Sequence, residues 1–346
     1  MIPSNRSPSD DLASGRVLMH RLPRHLRRAI IASVLCLAWV IHATPAIADP
    51  PSSTKATATA KTEPIERVAM IGASGTAGFG AYFWRIDDGQ AVRDSTTLAK
   101  ILRAASEKAL VVSDLGTAQF FMNPAGIGRM EVDRAIASRP DLVVGIDFLF
   151  WFCYGTVGPD ARRIRTTEDR LKMLDHGLSL IQEITDRDIP LLIGDVPDMS
   201  AAEGKILAPG QVPDAETRRR LNERISAWAA ERPEVEVFSL DRLQKLLDSD
   251  DPIEVAGTTL DERERSWMLQ PDRLHPTVGG LVVIVEAIVE QARAHPLLAG
   301  RIPGIETDYA TNLSRITGFP SMLDQIPIDR EQRRGESRPA ETERPD

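Results

Sequence analysis

Arg67–Gly80 reads RVAMIGASGTAGFG, and the fold turns on how this stretch is parsed. Val68–Ile71 is a short apolar run with the length and branching of a buried strand. It breaks into Gly72-Ala73-Ser74-Gly75-Thr76-Ala77-Gly78-Phe79-Gly80. Four glycines in these nine residues let the backbone turn sharply and leave little bulk around Ser74. A serine at the carboxyl end of the first strand of an α/β sheet stands where such folds build their sites. The stretch alone admits three parsings: a nucleophile on a strand-to-helix turn, a dinucleotide loop carried by the spacing of Gly72, Gly75 and Gly78, or a tight turn without chemistry.

Downstream of this stretch the chain alternates. Strand-like runs fall at Val68–Ile71, Ala109–Ser113, Leu142–Ile146, Leu191–Gly194 and Val235–Ser239. Helical patterns lie at Ser95–Lys108, Met130–Ser138, Glu168–Thr185, Ala215–Ala230 and Val278–Ala294. Strands alternating with helices of this length predict βαβ units, hence one doubly wound domain on a five-stranded parallel sheet. The domain is expected over 66–300. Residues 301–346 read as an extended tail, disordered from about 329, where charge and proline dominate. Residues 249–266 form a polar insertion, expected to be a surface loop with a lid as the alternative.

Residues 1–48 have the organisation of an export signal. Arg21, Arg24, Arg27 and Arg28 precede the apolar stretch Ala29–Ile41, and Ala46-Ile47-Ala48 has the small-x-small form of a cleavage site. Cleavage is expected between Ala48 and Asp49, with an uncleaved anchor as the alternative and Met19 as an alternative start. Residues 49–65, rich in Pro, Ser, Thr, Ala and Lys, read as a flexible linker. Residues 1–48 carry six Arg and two Asp, which leaves 36 basic and 48 acidic residues from Asp49 onward, net −12. Such a balance disfavours nucleic acid and anionic membrane as partners. Cys153 is the one cysteine past the leader, so no internal disulfide can form, and a periplasmic or secreted protein is expected. No His or Cys pair has ligand spacing, so no metal site is expected.

The second informative segment is Gln270-Pro271-Asp272-Arg273-Leu274-His275-Pro276-Thr277, just before the last helical pattern. Histidine is the side chain best suited to act as a base near neutral pH, and a carboxylate three residues away can fix its tautomer. The alternative is a capped surface loop. His176, inside a helical run, and His295, at a helix end, have no partner motif.

Taken together, these segments resemble the SGNH, or GDSL-type, serine hydrolases. The resemblance rests on Gly72-Ala73-Ser74-Gly75-Thr76, on Val112-Ser113-Asp114-Leu115-Gly116 ending the second strand, on Val143-Val144-Gly145-Ile146-Asp147 ending the third, and on Asp272-Arg273-Leu274-His275-Pro276. It implies a three-layer α/β/α sandwich, flavodoxin-like, that hydrolyses esters, acetyl esters or thioesters of small molecules, glycans or lipids. Ser74 would be the nucleophile, His275 the base and Asp272 its orienter. Backbone N–H groups of Ser74 and Gly116 would bind the oxyanion. Two positions depart from the pattern. Ala73 replaces the family's Asp, and Asp147 stands where the family places an oxyanion-binding Asn. An ionised Asp147 accepts hydrogen bonds only and would repel the oxyanion; one lost donor costs ~10²–10³ in rate. Asn123 is a candidate replacement. Phe148–Tyr154 is expected to be core, or else the wall of an acyl pocket.

Two rivals stand beside this reading. A catalytically weak binding protein keeps the sandwich without the Asn. A nucleotide-dependent oxidoreductase would use the glycine spacing with Asp114 on a ribose, but no Tyr-x-x-x-Lys pair follows Tyr82, Tyr154 or Tyr309.

Overall fold

The computed structural model describes residues 63–158, 162–249, 252–302 and 304–336. The leader, most of the linker and residues 337–346 lie outside it.

The middle of the central sheet is built from runs buried on both faces, Leu142–Gly145 and Leu191–Gly194 above all. β1 (Arg67–Met70) pairs in parallel with β4 (Val111–Asp114) on one side and β5 (Leu142–Gly145) on the other. β6 (Leu191–Gly194) and β7 (Val235–Phe238) continue beyond β5, giving the order β4-β1-β5-β6-β7. All pairings are parallel, and the five strands, ranked among themselves, run 2-1-3-4-5. That is the doubly wound order whose switch point lies between β1 and β5. Period two splits each strand between two cores. Val68, Met70, Val144 and Leu192 face one, while Ala69, Val143, Leu191 and Ile193 face the other.

Helices cover both faces. α1 (Leu98–Ala105), α6 (Leu240–Asp248) and α8 (Val278–Ala294) bury their apolar sides in the first core. α2 (Pro124–Ala137), α3 (Phe150–Tyr154), α4 (Thr167–Thr185) and α5 (Ala215–Ala230) cover the second. Their starts follow from side-chain caps. Thr166 and Asp169 form a capping box at α4, and the Thr277 hydroxyl accepts from Gly280 N at α8. The three-layer α/β/α sandwich therefore stands as expected.

Several expectations need correction. The stretch between the Ser74 turn and the helical pattern expected from Ser95, to which the sequence reading assigned no element, forms an antiparallel hairpin, β2 (Tyr82–Asp87) and β3 (Gln90–Ser95). Its turn is Asp88-Gly89, both at positive φ (48° and 77°), the Asp-Gly pair that a right-twisted two-residue turn favours. The polar insertion at 249–266 is not a surface loop. Its described part forms the hairpin β8 (Ile253–Val255) and β9 (Thr258–Leu260), then α7 (Glu262–Arg265), with Ile253, Val255 and Leu260 buried in the first core. The described part of the tail is not extended: α9 (Tyr309–Thr317) and α10 (Gln325–Glu336) follow, and the residues from 329 to 336 are helical, while the rest of the segment expected to be disordered lies outside the described residues. Buried Glu264 fixes this segment, accepting from Tyr309 Oη, Ser321 Oγ and Met322 N. Phe148–Tyr154 is buried, and its Cys153 thiol is pushed up to about 12 by burial. Among the described residues no helix is long and apolar enough to cross a membrane.

Candidate active site

The chain leaves β1 at Ile71 and turns at Gly72, whose φ is +147°. A Cβ there would lie 2.1 Å from Asp147 Oδ1, so the approach demands glycine. The turn that follows closes on itself, with Ala77 N bonded to Ala73 O and Phe79 N to Ser74 O. Two buried carboxyls hold it from below. Glu131 Oε2 accepts Gly72 N at 2.7 Å. Asp147 Oδ1 accepts Ala73 N at 2.9 Å and Thr76 Oγ1 at 2.5 Å, and its Oδ2 accepts Thr76 N at 3.0 Å. With these groups spent, Ser74 N has no acceptor within the described residues. Ser74 itself is half-buried at the top of the turn.

Gly116 arrives from β4. Leu115 N donates to Met70 O and Thr117 N to Gly72 O, which pins the loop on either side of Gly116 to the end of β1. The Gly116 N–H, like that of Ser74, is left without an acceptor in the described residues. A Cβ at Gly116 would sit 2.7 Å from Thr76 Cγ2, so the contact needs glycine here too.

The third component is a closed loop ahead of α8. Gln270 N bonds to His275 O, and Thr277 N to Met268 O. Arg273 sits at φ +61°. Inside the loop, Asp272 Oδ1 accepts Leu274 N at 2.9 Å and His275 N at 3.0 Å. Its Oδ2 lies 2.8 Å from His275 Nδ1, and His275 Nε2 lies 2.9 Å from Ser74 Oγ. A carboxylate only accepts, so Nδ1 carries the proton and Nε2 is free to accept the Ser74 hydroxyl. Burial pushes the Asp272 pKa up, but the His275 and Leu274 N–H groups and the His275 ring outweigh it and hold the group below the usual carboxylate value. His275 is 4% exposed, with the half-exposed Phe79 ring tilted against it at 4.8 Å between centroids.

Three expected residues, Ser74, Asp272 and His275, thus come together, with Gly116 beside the Ser74 turn. Asp147 does not act as an oxyanion donor. Its oxygens face N–H and O–H groups of the turn, so it can only accept. Burial pushes its pKa up while Thr76 and the backbone N–H groups pull it back toward the carboxylate. Asn123 is no replacement: it is an exposed helix cap, its Oδ1 accepting Gly126 N at the start of α2. The dinucleotide parsing loses its physical basis here. A phosphate needs free N–H groups, and those of Gly72, Ala73 and Thr76 already meet carboxyls. Asp114 is likewise occupied, accepting the Thr97 hydroxyl at 2.7 Å.

Two contributors escaped the sequence reading. Glu131 sits inside an ordinary helix with no local signal; burial pushes its pKa up to about 9. Gln270 ties the two halves together, its Nε2 donating to Phe79 O at 2.7 Å and to Pro276 O at 2.8 Å. Gly80, at φ +71°, gives way to that amide; a Cβ would lie 2.4 Å from Gln270 Oε1. Beside Ser74 and His275 opens a narrow apolar cavity of about 60 Å³, partly continuous with solvent. Phe150 is the one residue of Phe148–Tyr154 that lines it. Among the described residues no group of three or more His, Cys, Asp or Glu could hold a metal ion.

No family model matches this chain, and no curated protein does. Solved structures are similar to part of it at low identity. The acetylxylan esterase Axe2 of Geobacillus stearothermophilus is 16% identical over 67% of this chain and 95% of its own, with a TM-score of 0.42. The psychrotrophic esterase EstA of a Pseudoalteromonas species is 13% identical over 66% of this chain and 97% of its own, at 0.40.

Proposed function

We propose that this chain is an exported serine hydrolase that cleaves esters through an acyl-enzyme on Ser74. The line Asp272–His275–Ser74, with separations of 2.8 and 2.9 Å, carries the reading. In it Ser74 Oγ attacks the ester carbonyl as His275 Nε2 takes its proton. The oxyanion meets the unpaired N–H groups of Ser74 and Gly116. His275 returns the proton to the departing alcohol, leaving the acyl group on Ser74. Water then attacks that ester with His275 again as base, releasing a carboxylic acid and restoring the hydroxyl. Asp272 keeps Nδ1 protonated and steadies the imidazolium at each stage. The mechanism requires no cofactor. Export is supported by the basic, apolar and small-residue order of residues 1–48.

The test is hydrolysis of p-nitrophenyl esters, with a fluorophosphonate probe as an independent readout of the nucleophile. Ser74→Ala and His275→Ala are expected to lower turnover about 10³-fold or more, and Ser74→Ala to abolish labelling. Full turnover by Ser74→Ala overturns the proposal. An intact, folded protein that neither labels nor turns over any ester is the outcome that a binding protein of the same fold would give. Amino-terminal sequencing of the protein from an expressing bacterium's periplasm is expected to begin at Asp49.

A further inference from the structure

The cavity beside Ser74 is more selective than the triad alone. It lies across the carboxyl edge of the sheet, where the two cores meet. Phe150 and Met199 come from one side, and Leu243 and Leu247 of α6 with Ile284 of α8 from the other. Its reacting end is the Ser74 turn and His275. The polar side chains that reach it are already engaged. Asp147 is bonded to the turn, and the Gln244 amide nitrogen donates to Asp248 Oδ2 at 2.9 Å. Asp272 faces His275 rather than the cavity. A sugar or other polyol seated there would exchange water for hydrocarbon and lose hydrogen bonds that nothing replaces. A linear hydrocarbon would lose none, and each methylene buried favours binding about fourfold.

Resting on the serine hydrolase reading, we propose that this cavity receives the acyl group of the substrate and that the group is a linear aliphatic chain of medium length rather than acetyl. The ester carbonyl sits at Ser74 Oγ, the chain runs between α6 and α8, and the alcohol leaves on the Phe79 side of His275, where the protein is open. Leu243 and Leu247 then set the chain length.

The test is kcat/KM for p-nitrophenyl acetate, butyrate, octanoate and laurate with the purified protein, run beside fluorophosphonate labelling of Ser74. The expected result is an octanoate-to-acetate ratio of at least about 10. Leu243→Trp and Leu247→Trp, which fill the cavity, are expected to lower that ratio at least about tenfold. The wild-type panel decides the matter by itself if either variant fails to fold. Labelling of Ser74 with acetate as the best ester overturns the acyl-chain proposal and leaves the hydrolase standing. A ratio unmoved by both folded variants overturns the role of Leu243 and Leu247. Neither labelling nor turnover of any ester removes the hydrolase reading, and the acyl-chain proposal with it.

Discussion

The Ser74 turn and the His275 loop are built on opposite plans. The loop is self-sufficient. Asp272 organises it through bonds to residues two and three positions away, and the same carboxylate reaches the ring it serves. The turn closes on itself at its far end, but its first N–H groups find no local acceptor. Its N–H groups are held by Glu131, 59 positions from Gly72, and by Asp147, 74 positions from Ala73, while Gln270 reaches back 191 positions to Phe79. On the proposed reading, a catalytic base is thus placed by a short local motif. A nucleophile whose neighbouring N–H groups must stay free needs the rest of the fold to occupy the others.

Substitutions can break this contrast, and the largest effect belongs to the self-sufficient half. Asp272→Asn should lower ester turnover by about 10³–10⁴, because the amide no longer enforces the Nδ1 proton. The amide oxygen of Asn can still accept Leu274 N and His275 N, so the melting temperature should move by no more than a few degrees, as scanning calorimetry would show. The distant supports should behave the other way. Asp147→Ala strands the buried N–H groups of Ala73 and Thr76 and is expected to cost about 3 kcal/mol or more of stability in a urea titration. Asp147→Asn is the sharper experiment. It installs the residue of the resembled family, yet its Nδ2 would have to face an N–H donor of the turn. Turnover should therefore fall about tenfold rather than rise; an increase would mean that the side chain swings out to the oxyanion. Gln270→Ala removes the bonds to Phe79 O and Pro276 O, and about 1–2 kcal/mol of stability should go with them. Because it changes the seating of His275 against Ser74, kcat should drop several-fold with KM little changed.

Glu131 gives the smallest effect at neutral pH and the clearest dependence on pH. Its pKa is raised from about 4.5 to about 9 in the folded chain by burial. Between those values the folded protein keeps a proton that the unfolded chain has released, so stability falls as pH rises through that window. Glu131→Gln keeps an acceptor for Gly72 N without the proton. Its melting temperature should therefore lose less than the wild type's between pH 5 and pH 9, and equal slopes would show that Glu131 is not the titrating group.

The same contrast explains what the sequence disclosed. Five strands were legible because parallel strands buried on both faces read as continuous apolar runs, Leu142–Gly145 being the plainest. Asp272 and His275 were legible because their relation is local. The role of Asp147 was not, since one carboxylate reads alike whether it faces an oxyanion or the underside of a turn. Glu131 left no trace, because an acidic residue in a helix is ordinary until its surroundings are known. The hairpins are a different kind of omission. Asp88-Gly89 and Ala256-Gly257 both turn at positive φ, and the first is a recognisable signal, preceded by the aromatic run Tyr82–Asp87 and obscured only by the polar Gln90–Ser95 after it.

One further link ties the two ends of this chain together. The hairpin that leaves the Ser74 turn rests on α10, Trp84 N donating to Gln325 Oε1 at 2.7 Å and Trp84 Nε1 to Asp329 Oδ1 at 3.3 Å. Gln325 is 241 positions beyond Trp84. At translation speeds of about 5–20 residues per second, a ribosome needs ~10–50 s to travel between them. His275 is also made late, 201 positions after Ser74. A nascent chain therefore carries Ser74 long before it carries the histidine and carboxylate that line up with it.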